Sequence, residues 1–136
     1  MKKLLIALLM LIFANVSFAT NSYDQYGRKT GSYRQTSTGF NSYNKYGMKT
    51  DSYKETPTGF NSYDQYGKKT GSYKRTSTGY NSYDQYGRKT GSYKTNSDGT
   101  TTKYNQYGQK VGSFKQDSSG RINQYDQYGR KIKSYK

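Results

Sequence analysis

Aromatic and polar positions alternate along this chain in short runs, and the runs recur at a fixed interval. From residue 28 the order is Arg28, Lys29, Thr30, Gly31, Ser32, Tyr33, Arg34. In a strand, alternation sends Lys29, Gly31 and Tyr33 to one face and Arg28, Thr30, Ser32 and Arg34 to the other. A shorter run near Phe40 to Tyr43 has the same character. Tyr, Thr and Ser dominate both runs and favour strands, and nothing after the first 19 residues spaces apolar residues for a helix. Two turn signals separate the runs. Asp84-Gln85-Tyr86-Gly87 puts Asp first and Gly fourth, which suits a type I turn whose Gly takes a left-handed conformation and a G1 bulge. Ser37-Thr38-Gly39, Asn96-Ser97-Asp98-Gly99 and Ser118-Ser119-Gly120 mark the other turn.

The units open at Asn21, Asn41, Asn61 and Asn81 with a period of 20; a fifth begins at Thr101 with one extra residue before Tyr104, and a sixth runs to Lys136. Such a period implies an array of supersecondary units without internal linkers. Residues 20–136 therefore read as a single all-β domain of six units, with about two strands per unit. Hairpin connections make it an antiparallel meander. Large sheets can stay open, coil or close; the expectation is an open sheet, twisted or curled, with a β-solenoid as the alternative. Gly31, Gly71, Gly91 and Gly112 sit inside strands. The expected reason is a neighbouring Tyr ring lying over the bare Gly; a simple bulge is the alternative. Asp51 and Lys133 replace this Gly in the second and sixth units.

The first residues differ from all the rest. Met1-Lys2-Lys3, an apolar run from Leu4 to Phe13, and small residues at Ser17 and Ala19 form a secretory leader with cleavage expected after Ala19. The apolar run is shorter than the roughly 20 residues a spanning helix needs, and an uncleaved anchor is the competing reading. The protein is expected to be secreted or periplasmic, with no transmembrane span once the leader is removed. Beyond the leader there is no Leu, Ala, Trp, His or Cys, and the only aliphatics are Val111, Ile122 and Ile132 beside Met48. All 18 Tyr lie there. The core must consist of Tyr rings, Tyr83 and Tyr93 among them, and of Lys and Arg stems. Without Lys2 and Lys3 the chain carries 21 basic and 8 acidic side chains, net +13. That field attracts anionic surfaces and also keeps a Tyr-rich sheet soluble.

Tyr23-Asp24-Gln25-Tyr26-Gly27-Arg28, Tyr63-Asp64-Gln65-Tyr66-Gly67-Lys68, Tyr83-Asp84-Gln85-Tyr86-Gly87-Arg88 and Tyr125-Asp126-Gln127-Tyr128-Gly129-Arg130 resemble the core of the YD repeats of RHS-type and wall-associated bacterial proteins. The resemblance implies β-hairpins joined in a continuous sheet, which spirals into a toxin-holding shell in large members, and it implies carbohydrate binding and extracellular attachment. Lys29, Lys69, Lys89 and Lys131 stand where that family commonly has Leu, and Asn44 and Asn105 replace the Asp. Six units are too few for a shell, so a minimal exported module is expected.

Catalysis is not expected, because His and Cys are absent and most of the carboxylates open turns. One acid per turn among Lys and Arg does not make a metal site, and no cofactor is expected. Recognition by a surface is the favoured chemistry. Tyr26, Tyr66, Tyr86, Tyr107 and Tyr128 lie inside turns, next to Arg28, Lys68, Arg88, Lys89 and Arg130. Rigid amphipathic rings interleaved with donors suit anionic polysaccharide, lipopolysaccharide or cell-wall polymer. The same mix could stack on nucleic acid, which export disfavours as a physiological partner. A self-associating surface or matrix protein is the alternative, since a meander has two adhesive edges. A Tyr-rich polycation without fixed structure is the remaining reading. Expression in a bacterial host followed by N-terminal sequencing of the exported protein is expected to give Thr20 as the first residue; retention of the leader would overturn this.

Overall fold

The computed structural model describes residues 20–136, so the expected leader and its cleavage point lie outside the described residues. Twelve strands follow one another: β1 (Thr20–Asp24), β2 (Lys29–Thr36), β3 (Gly39–Asn44), β4 (Lys49–Thr56), β5 (Gly59–Asp64), β6 (Lys69–Arg75), β7 (Gly79–Asp84), β8 (Lys89–Thr95), β9 (Thr101–Asn105), β10 (Lys110–Gln116), β11 (Ile122–Asp126) and β12 (Lys131–Tyr135). Each pairs antiparallel with the next, so the expected hairpin meander of two strands per unit is present.

The open sheet and the solenoid are both overturned: the meander closes into a twelve-stranded barrel. β1 pairs with β12 through Ser22 with Tyr135, Tyr23 with Ser134 and Asp24 with Lys133. Asn21 and Lys136 extend the seam, each backbone N–H donating to the other's carbonyl at 2.7 and 2.9 Å. Two features of the repeat favour closure. A unit supplies a pair of strands, so any whole number of units leaves the ends correctly oriented for an antiparallel seam. Each hairpin from an odd to an even strand also carries a register shift at one place, as between Ser22 and Tyr23, Ser62 and Tyr63, and Ser82 and Tyr83. Regular bulges curl a sheet in one sense.

The strand glycines lie beside the bulge but are required by the neighbouring strand. Tyr23 pairs with Lys29 and Ser22 with Gly31, which leaves Thr30 as the extra residue. A Cβ at Gly91 would lie 2.6 Å from the carbonyl oxygen of Tyr104, and no ring is among its nearest neighbours. The expectation of a Tyr ring over Gly is therefore wrong: the close approach is made by backbone.

The core is a two-row aromatic plug inside the barrel. Tyr33, Tyr53, Tyr73, Tyr93, Phe114 and Tyr135 project inward from the even-numbered strands. Directly opposite on the odd-numbered strands stand Phe40 to Tyr53, Phe60 to Tyr73, Tyr80 to Tyr93, Thr101 to Phe114 and Ile122 to Tyr135. Such directly opposed pairs are the closest side-chain contacts across an antiparallel ladder. Ring centroids of Phe60 and Tyr80 lie 6.0 Å apart, and those of Tyr33 and Tyr135 6.3 Å. Burial pushes the Tyr33 phenol up to about 12 and raises Tyr53, Tyr73, Tyr93 and Tyr135 as well, so all five are neutral. Tyr83 does not join them. Alternation turns it to the outer wall, where Lys74 Nζ lies 5.2 Å from its ring centroid. Arg34 over Tyr43 and Lys54 over Tyr63 repeat the arrangement.

The extra residue of the fifth unit is absorbed in the β8–β9 loop. Thr95 pairs with Thr101 there, against Arg75 with Tyr80 one unit earlier, so the inward set continues undisturbed. Replacement of Phe60 by Ala is expected to destabilise the barrel by about 3–5 kcal/mol, through lost burial and the cavity left behind. Tyr53→Phe is expected to raise stability by about 1 kcal/mol, because the Tyr53 hydroxyl is buried without a hydrogen-bond partner. Urea titration of the two variants against the parent measures both.

Candidate functional site: an aromatic and basic rim

Six hairpins joining odd to even strands all turn at the same end of the barrel. Each is built by its first residue. Asp24 Oδ1 accepts hydrogen bonds from the backbone N–H of Tyr26 and of Arg28, both at 2.9 Å. The backbone N–H of Gly27 donates to the Asp24 carbonyl at 3.1 Å, and Gly27 takes φ of 80°. This is the expected type I turn with a G1 bulge. Asn44 and Asn105 do the same work with a neutral amide oxygen: Asn44 Oδ1 accepts from Tyr46 N–H at 2.9 Å and Met48 N–H at 3.0 Å.

The turn leaves its second Tyr nowhere to pack. Tyr26, Tyr46, Tyr66, Tyr86, Tyr107 and Tyr128 are all exposed, between 73 and 86%. In three units the neighbouring Arg is held over the ring. Arg88 Nε pairs with Asp84 Oδ2 at 2.7 Å while its guanidinium lies 5.2 Å from the Tyr86 ring centroid. Arg28 with Asp24 and Tyr26, and Arg130 with Asp126 and Tyr128, match it. One ring face is thus covered and the other faces solvent. Lys45 lies 4.9 Å over Tyr46. Among the described residues no cation lies over Tyr66 or Tyr107, so these two rings present both faces.

Every expected turn residue reaches this rim: Tyr26, Tyr66, Tyr86, Tyr107 and Tyr128, with Arg28, Lys68, Arg88 and Arg130. Lys89 does not sit among the turn tips; it pairs with Tyr83 on the strand below them. Tyr46 belongs to the ring although it is missing from the expected set. Its signal was available, since Asn44 opens the same turn two residues before it. Sequence reasoning also missed an inward-facing lysine, Lys103. It pairs with Tyr93 on one side and Gly112 on the other, at the register position held by Ser82 one unit earlier. Its signal was that parity, legible once the barrel's inner face is known.

The opposite rim is chemically different. Its turns are rich in Thr, Ser and Gly, as in Ser77-Thr78-Gly79 and Ser118-Ser119-Gly120, with Asp98, Asp117 and Arg121 among them and no Tyr. The barrel therefore has one end ringed by exposed Tyr. It is a closed up-and-down β-barrel. No protein-family model, curated protein or solved structure matches the chain.

The turn carboxylates set an acid limit. The Arg28 backbone N–H holds Asp24 below the ordinary 3.8; partial desolvation opposes this and the Arg28 guanidinium adds to it. Asp126 is held down in the same way by Arg130. At Asp84 desolvation pushes upward, but the Arg88 and Tyr86 hydrogen bonds outweigh it. With the folded carboxyls below the unfolded value, their contribution to stability is complete above that value and is lost as pH falls through the folded ones. The urea midpoint is expected to stay level from pH 7 to about 5 and to fall below about 4. Asp84→Asn is expected to flatten the acid limb with little change at pH 7, since Asn builds the same turn in two other units and an exposed ion pair adds little.

Proposed function

We propose that the protein is an exported, non-enzymatic recognition module whose Tyr-bearing rim binds glycan or anionic cell-surface polymers. The observation that carries this reading is the gathering of six exposed Tyr on one barrel end, four of them with a cation over the ring. A ring of near-identical contacts suits a repeating polymer, because weak subsites engaged together gain by effective concentration. Anionic polysaccharide, lipopolysaccharide and cell-wall polymer fit the excess of positive charge, and Tyr66 and Tyr107 offer the most open stacking faces. Closure weakens the alternative of self-association through sheet edges, since β1 and β12 pair with each other.

Binding of the mature protein to immobilised acidic polysaccharide and to lipopolysaccharide, measured at low and high salt, tests the reading. Binding is expected at low salt and weaker at high salt. The double variant Tyr66→Ala with Tyr107→Ala is expected to lose roughly tenfold in affinity with an unchanged thermal midpoint, as neither ring is packed. Absence of binding at low salt to either polymer sinks it.

A further inference from the structure

Below the rim, the aromatic plug gives way to a polar cup. Inward positions there belong to Ser22, Ser42, Ser62 and Ser82, each hydrogen-bonded to the bulge residue of its own hairpin: Thr30, Thr50, Thr70 and Thr90, at 2.8–3.0 Å. The fifth unit breaks the pattern twice. Lys103 stands in the Ser position and Val111 in the Thr position. A cavity of about 480 Å³ lies against this break, within the range of roughly 300–1,000 Å³ typical of small-ligand sites. Ser62, Ser82, Thr70 and Thr90 line its wall, Tyr73 and Tyr93 border it on the plug side, and Val111 and Lys103 complete it.

Lys103 is half-buried and has no hydrogen bond or ion pair with any described residue. Burial pulls its ammonium below the ordinary lysine value. The carboxylates that could neutralise it are engaged elsewhere. Asp84 lines the same cavity, but its oxygens take the N–H groups of Tyr86 and Arg88 and the Arg88 guanidinium. Asp51, inward on β4, accepts from Ser42 Oγ at 3.3 Å and forms no ion pair with Lys103. Lys133, the other inward lysine, lies 6.0 Å over the Tyr135 ring. A protein that keeps its other lysines largely at the surface thus directs one into a hydroxyl-lined cavity where no described carboxylate pairs with it.

We infer that the cup is a second binding site, for a small polyhydroxylated carboxylate such as a sugar acid, with the carboxylate on Lys103 Nζ and the hydroxyls on the Ser–Thr wall. An ammonium with three donors and no internal partner is the natural seat of the carboxylate. Each Ser–Thr pair uses one donor and one acceptor between its two hydroxyls, so one O–H and further lone pairs remain for the ligand. The Tyr73 and Tyr93 rings offer an apolar floor for the C–H face of a sugar. The site needs none of the rim tyrosines and goes beyond the reading given for the rim.

The ligand's source is either a free sugar acid or the terminal residue of an acidic glycan. Calorimetric titration of the mature protein with glucuronate, with glucose, and with an acidic trisaccharide ending in glucuronate separates them. Saturable one-to-one binding of glucuronate without binding of glucose assigns the free acid; saturable binding of the trisaccharide alone assigns the glycan end. In either case Lys103→Ser is expected to weaken binding about tenfold or more, the loss of a charge-assisted hydrogen bond. The Tyr66→Ala, Tyr107→Ala variant is expected to leave one-to-one binding of whichever ligand is taken unchanged, which separates this site from the rim. Ser is native to the position in four units, and Lys103→Gln, matching Gln124 in the sixth, serves if the Ser variant does not fold. No saturable binding of either acid, or equal binding by the Lys103 variants, overturns the inference.

Discussion

The pairing of β1 with β12 is the interaction on which the rest of the structure depends. The inner face of this sheet carries the aromatic core residues, and among the described residues no helix or second sheet covers it. Left open, Tyr33, Tyr53, Tyr73, Tyr93 and Tyr135 would face water along its whole width. Closure lets the face bury itself, so that rings from all around the barrel meet in one plug, with no aliphatic layer. It also satisfies the backbone groups that two edges would expose. The seam uses the same antiparallel register as the even-to-odd strand pairs, with Ser22 opposite Tyr135 as Ser42 is opposite Tyr33. The plug is thus continuous across the joint between the chain's first and last units.

Repetition then divides the molecule into zones along the barrel axis. A residue at a given place in the 20-residue unit occupies the same level around the ring. Turn Tyr collect at one rim, hydroxyls form the next level, and aromatic rings fill the remainder. A binding surface arises from multiplication of a weak local feature, a Tyr held out by an Asx turn. Departures from the repeat have the opposite effect, because each places one distinctive group at one azimuth of an otherwise uniform level. Asp51, Lys103, Gln124 and Lys133 all fall on the inner face near the rim, where the uniform levels consist of Ser and Gly.

Strands, turns and their number were legible in the residues, because each rests on local chemistry. Asp24 and Gly27 specify a turn with hydrogen bonds that span only four residues, and Asn44 shows how little the turn depends on charge. The rim residues were legible for the same reason, with Tyr46 overlooked only because its unit departs from the commonest spelling. Tyr83 and Gly31 were misread because their roles depend on what lies across a strand pair. Alternation shows that Tyr83 and Tyr93 occupy separate faces only when the bulge at Thr90 is counted, and the backbone approach at Gly91 requires the neighbouring hairpin to be in place.

What the sequence by itself determined is the unit: two strands, two turns, an aromatic residue on the inner face and another at the turn tip. Tertiary structure alone decided that six units close, that the turn Tyr form a ring rather than a row, and that Lys103 points into a cavity rather than to water. Closure is a condition on the sum of twist and bulge over all twelve strands, met at a seam between residues more than a hundred positions apart. No single unit contains that sum. Inside and outside become defined only when it is met, so the meaning of Ser, Gly or Lys at one position in the repeat waits on the whole.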